Sequence, residues 1–160
     1  MAKHIIQFNV NGATREAAVE DHHTLASVLR NQFNLVGTKV GCDMGTCGCC
    51  TVLIEGRPVL SCLALAREYE GAAITTVEGL RDDSMHPLQR AWAECGGSQC
   101  GYCTPGFIMT ATHLLEHNPD PTRDEIAAAL SGNLCRCTGY VKIYDAVERA
   151  ASEMRSALKA

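Results

Sequence analysis

Eight of the ten cysteines in this 160-residue chain fall into two groups of four with unlike spacings. Cys42, Cys47, Cys50 and Cys62 form C-x4-C-x2-C-x11-C. Cys100 and Cys103 form a C-x2-C pair, and Cys135 and Cys137 follow as C-x-C. Four thiolates are the ligand set of an iron–sulfur cluster or of a closed zinc site. A chain that carries two such sets must bring distant segments together twice, and few folds of this length do so.

Composition narrows the classes. Apolar residues make up 46% and the formal net charge is −4, with no basic stripe, which excludes nucleic acid as an expected partner. The opening Met1-Ala2-Lys3-His4-Ile5-Ile6-Gln7-Phe8 has no continuous apolar core and no twin arginine, so it reads as a strand and not as a signal peptide. No apolar run reaches membrane-spanning length. The expectation is a soluble cytoplasmic protein. In a reducing cytosol its cysteines are metal ligands sooner than disulfides.

The pattern along the chain predicts an α+β fold in two parts, residues 1–78 and 79–160. In the first, Ile6, Phe8 and Val10 alternate up to an Asn11-Gly12 turn, and Ala13, Ala17 and Val19 continue beyond it. Thr24 caps a short helix bearing Leu25, Val28 and Leu29. Thr51 to Ile54 and Arg57 to Leu60 flank Glu55-Gly56 as a second hairpin, and Ala73 to Val77 is a last β-like run. In the second part Asp83-Ser84 precedes a helix with Leu88, Ala91 and Trp92. Thr104-Pro105 opens another, with Pro105 at its first position and Ile108, Ala111, Leu114 and Leu115 facing inward. Thr122 and Glu125 form a capping box for a helix with Ile126, Ala129 and Leu130 that ends near Gly132. A last helix carries Val147, Ala150, Ala151, Met154 and Leu158. Four helices with short connections predict a small four-helix bundle.

The first tetrad matches the plant-type [2Fe–2S] pattern C-x4-C-x2-C…C. Gly41, Gly45 and Gly48 are expected to allow positive φ and close approach of N–H groups to the cluster sulfurs. Zinc sites favour C-x2-C knuckles instead. Adjacent Cys49 and Cys50 cannot readily point at one iron, and the spacing selects Cys50. Cys49 then reads as a small buried side chain.

In the second tetrad each cysteine pair stands beside a helix start, where free N–H groups and the dipole favour a negatively charged iron–thiolate unit. A C2H2 finger built from Cys100, Cys103, His113 and His117 has too short a spacer and leaves Cys135 and Cys137 unexplained. His113 and His117 read as polar positions on a helix surface. Cys95 reads as a thiol buried at a helix end, with ligation as its alternative. No catalytic residue is expected.

Three stretches carry a resemblance: Gly41-Cys42-Asp43-x-Gly45-x-Cys47-Gly48-x-Cys50-Thr51-Val52, Gln99-Cys100-Gly101-Tyr102-Cys103-Thr104-Pro105-Gly106, and Gly132-Asn133-Leu134-Cys135-Arg136-Cys137-Thr138-Gly139-Tyr140. With these the chain resembles, over nearly its whole length, the iron–sulfur small subunit of the molybdenum hydroxylases, the xanthine oxidase family. The resemblance implies a β-grasp ferredoxin domain, a helical domain, and a [2Fe–2S] cluster in each. It implies that the second cluster lies beside a molybdopterin cofactor, with Gln99 and Cys137 approaching the pterin, and that the first faces FAD. Molybdopterin belongs to a large subunit and FAD to a medium subunit, commonly in a dimer of heterotrimers, so this chain is not an enzyme alone. The family usually has Ala at the position of Cys49. A free-standing two-cluster carrier and a zinc-stabilised interaction module are the competing readings. Gln99 and the Cys135–Gly139 stretch disfavour the first, and the C-x-C and C-x4-C spacings disfavour the second.

Overall fold

The computed structural model describes residues 3–81 and 84–157. Leu158, Asp82, Asp83, Met1 and Ala2 lie outside the described residues. The fold is α+β: a mixed sheet with one helix, followed by a helical half. Among the described residues no helix is long and apolar enough to cross a membrane.

Strands β1 (His4–Val10) and β2 (Ala13–Val19) pair antiparallel. Asn11 at φ 53° and Gly12 at φ 76° give the doubly left-handed turn whose twist matches a two-residue hairpin. Strands β3 (Thr51–Ile54) and β4 (Arg57–Leu60) repeat the device with Glu55 at φ 49° and Gly56 at φ 74°. Strand β5 (Ala73–Thr75) runs parallel to β1 and antiparallel to β3, giving the sheet order β2-β1-β5-β3-β4. It is shorter than the sequence predicts, because Val77–Leu80 turns into a 3-10 helix.

Helix α1 (Leu25–Asn31) starts where the Thr24 hydroxyl accepts the Ser27 N–H at 3.2 Å. It lays Leu25, Val28 and Leu29 on the sheet core of Phe8, Val10, Val19 and Ile74. Each fully buried aliphatic or aromatic side chain here contributes roughly 1.5–3 kcal/mol by leaving water.

The helical half holds α2 (Pro87–Glu94), α3 (Thr104–His117), α4 (Arg123–Ala129) and α5 (Val141–Ala157) around Trp92, Phe107, Ile126, Leu130, Ile143 and Val147. Helix α2 begins later than Asp83-Ser84 suggests: His86 caps it, its ring nitrogen accepting from Leu88 N–H at 3.2 Å. Thr104 holds the first position of α3, with Pro105 second. The capping box of Thr122 and Glu125 forms as expected. Helix α3 packs on β3 and joins the two halves.

Candidate iron–sulfur sites

The connection from α1 to β3 ends in the stretch from Gly41 to Cys50, which curls on itself. Asp43, Gly45 and Gly48 all take left-handed backbone, at φ 55°, 74° and 70°. Gly41 does not. Its role is space, since a Cβ there meets the Cys47 Sγ at 3.1 Å and the Cys49 Sγ at 3.3 Å. The curl turns N–H groups onto sulfur. Met44 N–H first, then the hydroxyl and N–H of Thr46, hold the Cys42 thiol down at about 6. Cys47 is the next neighbour of that sulfur.

Cys62 comes back after β4. The Ser61 hydroxyl and N–H both donate to the Cys50 carbonyl, at 2.7 and 3.3 Å, which fixes the Cys50–Cys62 pair. Burial, then the Cys50 sulfur, pushes the Cys62 thiol up to about 12, against a donated Gly45 N–H. The four predicted thiols of the first set thus share one neighbourhood. It is lined by N–H donors, and deprotonating all four together needs a bound cation. That donor set fits a [2Fe–2S] cluster.

Cys49 points elsewhere. It is buried in the core of the helical half. Burial, then Cys47, pushes its thiol up to about 12. Cys50 and Cys42 also raise Cys49 from one side, and Cys49 in turn raises Cys103 on the other, so it stands between the two sets.

In the second set, Cys103 is the N-cap of α3 and is buried. Burial, then Cys135, pushes it up to about 12. Burial also pushes Cys135 up, but the hydroxyl and N–H of Thr138, at 3.0 and 3.4 Å from its sulfur, outweigh that and leave it below the ordinary thiol value. The Cys100 and Cys137 sulfurs lie 3.6 Å apart at the surface, and Cys100 raises Cys137. All four open on one cleft of about 460 Å3 whose wall also includes Cys47 and Cys49. The donors again fit an iron–sulfur cluster. Cys100 and Cys137 form the exposed side, and Gln99, also exposed, directly precedes Cys100 in the chain.

Cys95 ends α2, half-buried against the helical core, its N–H bonded to Ala91 O at 2.9 Å. His113 lies ten residues along from Cys103, roughly 15 Å at the helical rise, which no single zinc ion spans.

The sequence reading missed how closely the two sets are joined. Leu134 N–H donates to Cys47 O at 2.9 Å, and Asn133 Nδ2 donates to Gly48 O at 3.0 Å. A Cβ on Gly48 collides with Asn133 and the Gly132 carbonyl, and one on Gly106 collides with the Gly48 carbonyl. Glycine within three residues of a predicted ligand in each of the three segments was the available signal.

Comparison with known proteins agrees with this geometry. The family described as "2Fe-2S iron-sulfur cluster binding domain" matches residues 8–77, and the "[2Fe-2S] binding domain" family matches residues 76–148. The nicotine 6-hydroxylase small subunit of Paenarthrobacter nicotinovorans is 53% identical over 89% of this chain and 86% of its own. The nicotinate dehydrogenase small FeS subunit of Eubacterium barkeri is 48% identical over 94% of this chain and 96% of its own. A chain in the crystal structure of quinoline 2-oxidoreductase from Pseudomonas putida 86 superposes with a TM-score of 0.92 at 44% identity, over 96% of this chain and 97% of that one. With two [2Fe–2S] domains in one polypeptide and relatives of this kind along its length, the chain belongs to the iron–sulfur electron-transfer subunits of the molybdenum hydroxylase family.

Proposed function

We propose that this chain carries electrons between a molybdopterin centre in a large subunit and FAD in a medium subunit. Cys42, Cys47, Cys50 and Cys62 hold one [2Fe–2S] cluster within a β-grasp ferredoxin domain, residues 1–78. Cys100, Cys103, Cys135 and Cys137 hold the other within a four-helix bundle, residues 79–160. The sheet order and the four helices of the second half support that division. When bound, the clusters supply one-electron acceptors and donors, ordered from the molybdenum side at the second set to the flavin side at the first.

The observation that carries this reading is the direct bond between the two ligand loops, Leu134 N–H to Cys47 O at 2.9 Å. Leu134 adjoins Cys135, so the backbone of one ligand set touches that of the other with no side chain between. Asn133 and the glycine contacts pack this seam closely. Cys100 and Cys137 are the exposed thiols of the second set, which suits Cys137 and Gln99 to a pterin on a partner surface. The assembly proposed is a cytoplasmic dimer of heterotrimers, in keeping with ten free thiols.

The test is isolation of the chain from its native cell with whatever subunits accompany it. About four iron and four sulfide per chain, with molybdenum and flavin in the complex, is the expected result. Zinc without sulfide sinks it. Cys42→Ser within that complex should leave molybdenum reducible by substrate and stop electrons short of FAD. Loss of molybdenum reduction in a folded Cys42→Ser complex reverses the proposed order.

A further inference from the structure

The far end of α3 carries a second cluster of donor side chains. His113, Glu116 and His117 each place one ligand atom within 4.8 Å of the others. Residues three and four apart share a helix face, and the two imidazole centroids are 4.2 Å apart.

The hydrogen bonds of the rings decide what they can do. His113 Nδ1 lies 2.9 Å from the Gly56 carbonyl oxygen, and His117 Nδ1 lies 2.8 Å from the His113 carbonyl oxygen. A carbonyl only accepts, so in each neutral ring the proton sits on Nδ1 and Nε2 keeps a free lone pair. This is how metal-ligating histidines are oriented: one nitrogen donates to a backbone carbonyl and the other binds.

A second triad, Glu20, His22 and His23, is equally compact. There the Glu20 N–H donates to His23 Nδ1 at 3.2 Å. That bond occupies the Nδ1 lone pair and puts the proton on Nε2, so His23 has no free nitrogen. Of these two triads, the one on α3 has both rings in the tautomer of a metal ligand.

We propose that His113, Glu116 and His117 form a divalent transition-metal site. Two imidazole Nε2 atoms and one carboxylate oxygen bind the ion, and water completes its shell. Nitrogen-rich sets of this kind suit Zn2+, Ni2+ and Cu2+ and disfavour Mg2+ and Ca2+. The site is separate from both cysteine sets. Its bound ion fixes His113, and His113 holds the Gly56 carbonyl in the β3–β4 turn. Helix α3 starts after Cys103, β3 starts after Cys50, and β4 ends before Cys62. The ion therefore fastens the distal ends of three elements whose near ends carry cluster thiols.

The test uses the full chain with both clusters loaded and Ni2+ as the probe, read by calorimetry, by cluster absorption and by hydrogen exchange. The expected result is one saturable Ni2+ per chain, unchanged cluster absorption, and slower exchange of the amides at Glu55, Gly56 and Arg57. His117→Gln and Glu116→Gln should each weaken binding about tenfold or more, and His22→Gln should leave it unchanged. These are exposed positions, and intact cluster absorption certifies each variant's fold. No uptake, uptake that bleaches the clusters, or equal affinity in His117→Gln overturns the proposal.

Discussion

The N–H of Leu134 donates to the carbonyl oxygen of Cys47 at 2.9 Å, and Asn133, one residue earlier, sends its Nδ2 to the carbonyl of Gly48 at 3.0 Å. Two consecutive carbonyls of the first ligand loop are thus met by two consecutive residues of the second. Asn133 is buried. Asn133→Ala should cost about 1 kcal/mol, the low end for an unmatched buried group, because Gly48 O keeps the Thr51 N–H and hydroxyl at 3.2 and 2.8 Å. Denaturant unfolding measures the cost. Magnetic coupling between the two reduced clusters should weaken in parallel.

Gly106→Ala should be worse. The new Cβ meets the Gly48 carbonyl, which is backbone and cannot swing aside. Overpacking of this kind costs about 1–3 kcal/mol. The expected outcome is a lower denaturation midpoint and partial loss of iron from both sites. Full iron content with wild-type stability would count against the tight seam.

Cys49→Ala removes a sulfur from the helical core and no ligand. It should cost about 1 kcal/mol, as for one small group lost from a packed interior, while iron and sulfide stay at wild-type levels. Cys50→Ala should instead abolish the first cluster. If Cys49→Ala loses a cluster and Cys50→Ala does not, the ligand assignment moves by one residue.

Acid should act through the ion pairs of α5. Hydrogen bonds from Arg123, then Lys142, hold Asp145 below the usual carboxylate range, and Arg90, then Arg149, do the same for Glu153. Such groups stabilise fully above their unfolded values, near 4, and the contribution disappears as pH falls through the lower folded values. Arg123→Ala should therefore melt slightly below wild type at pH 7, and the gap should close as pH falls beneath the usual carboxylate range. A gap that widens with acid would contradict this sign.

Much of the fold is legible because its signals are local. Asn11-Gly12 and Glu55-Gly56 announce their hairpins, and Thr122 with Glu125 announces α4. The cysteine spacing sorts eight thiols into two sets of four, and the fold gathers each set into one neighbourhood. What stays hidden depends on contacts far apart in the chain. Val77 looks like strand until the end of β5 is seen to turn into a 3-10 helix. Gly41 looks like a left-handed residue, yet its role is to make room for two sulfurs. His113 and His117 look like ordinary surface positions, because the tautomers that distinguish them are set by carbonyls of Gly56 and of His113 itself. Gly48, Gly106 and Asn133 meet across 58 and 85 positions (106 − 48 and 133 − 48), beyond the reach of any periodicity.

Cys49 belongs to the sheet half by position and to the helical core by packing. Cooperativity follows from that placement. Neither half can unfold without stripping a buried side chain from the other and breaking the Leu134–Cys47 and Asn133–Gly48 bonds. Heating should produce a single transition, and a fragment cut at the sequence boundary should be less than half as stable as the intact chain. Two cofactor modules joined in this way melt as one body.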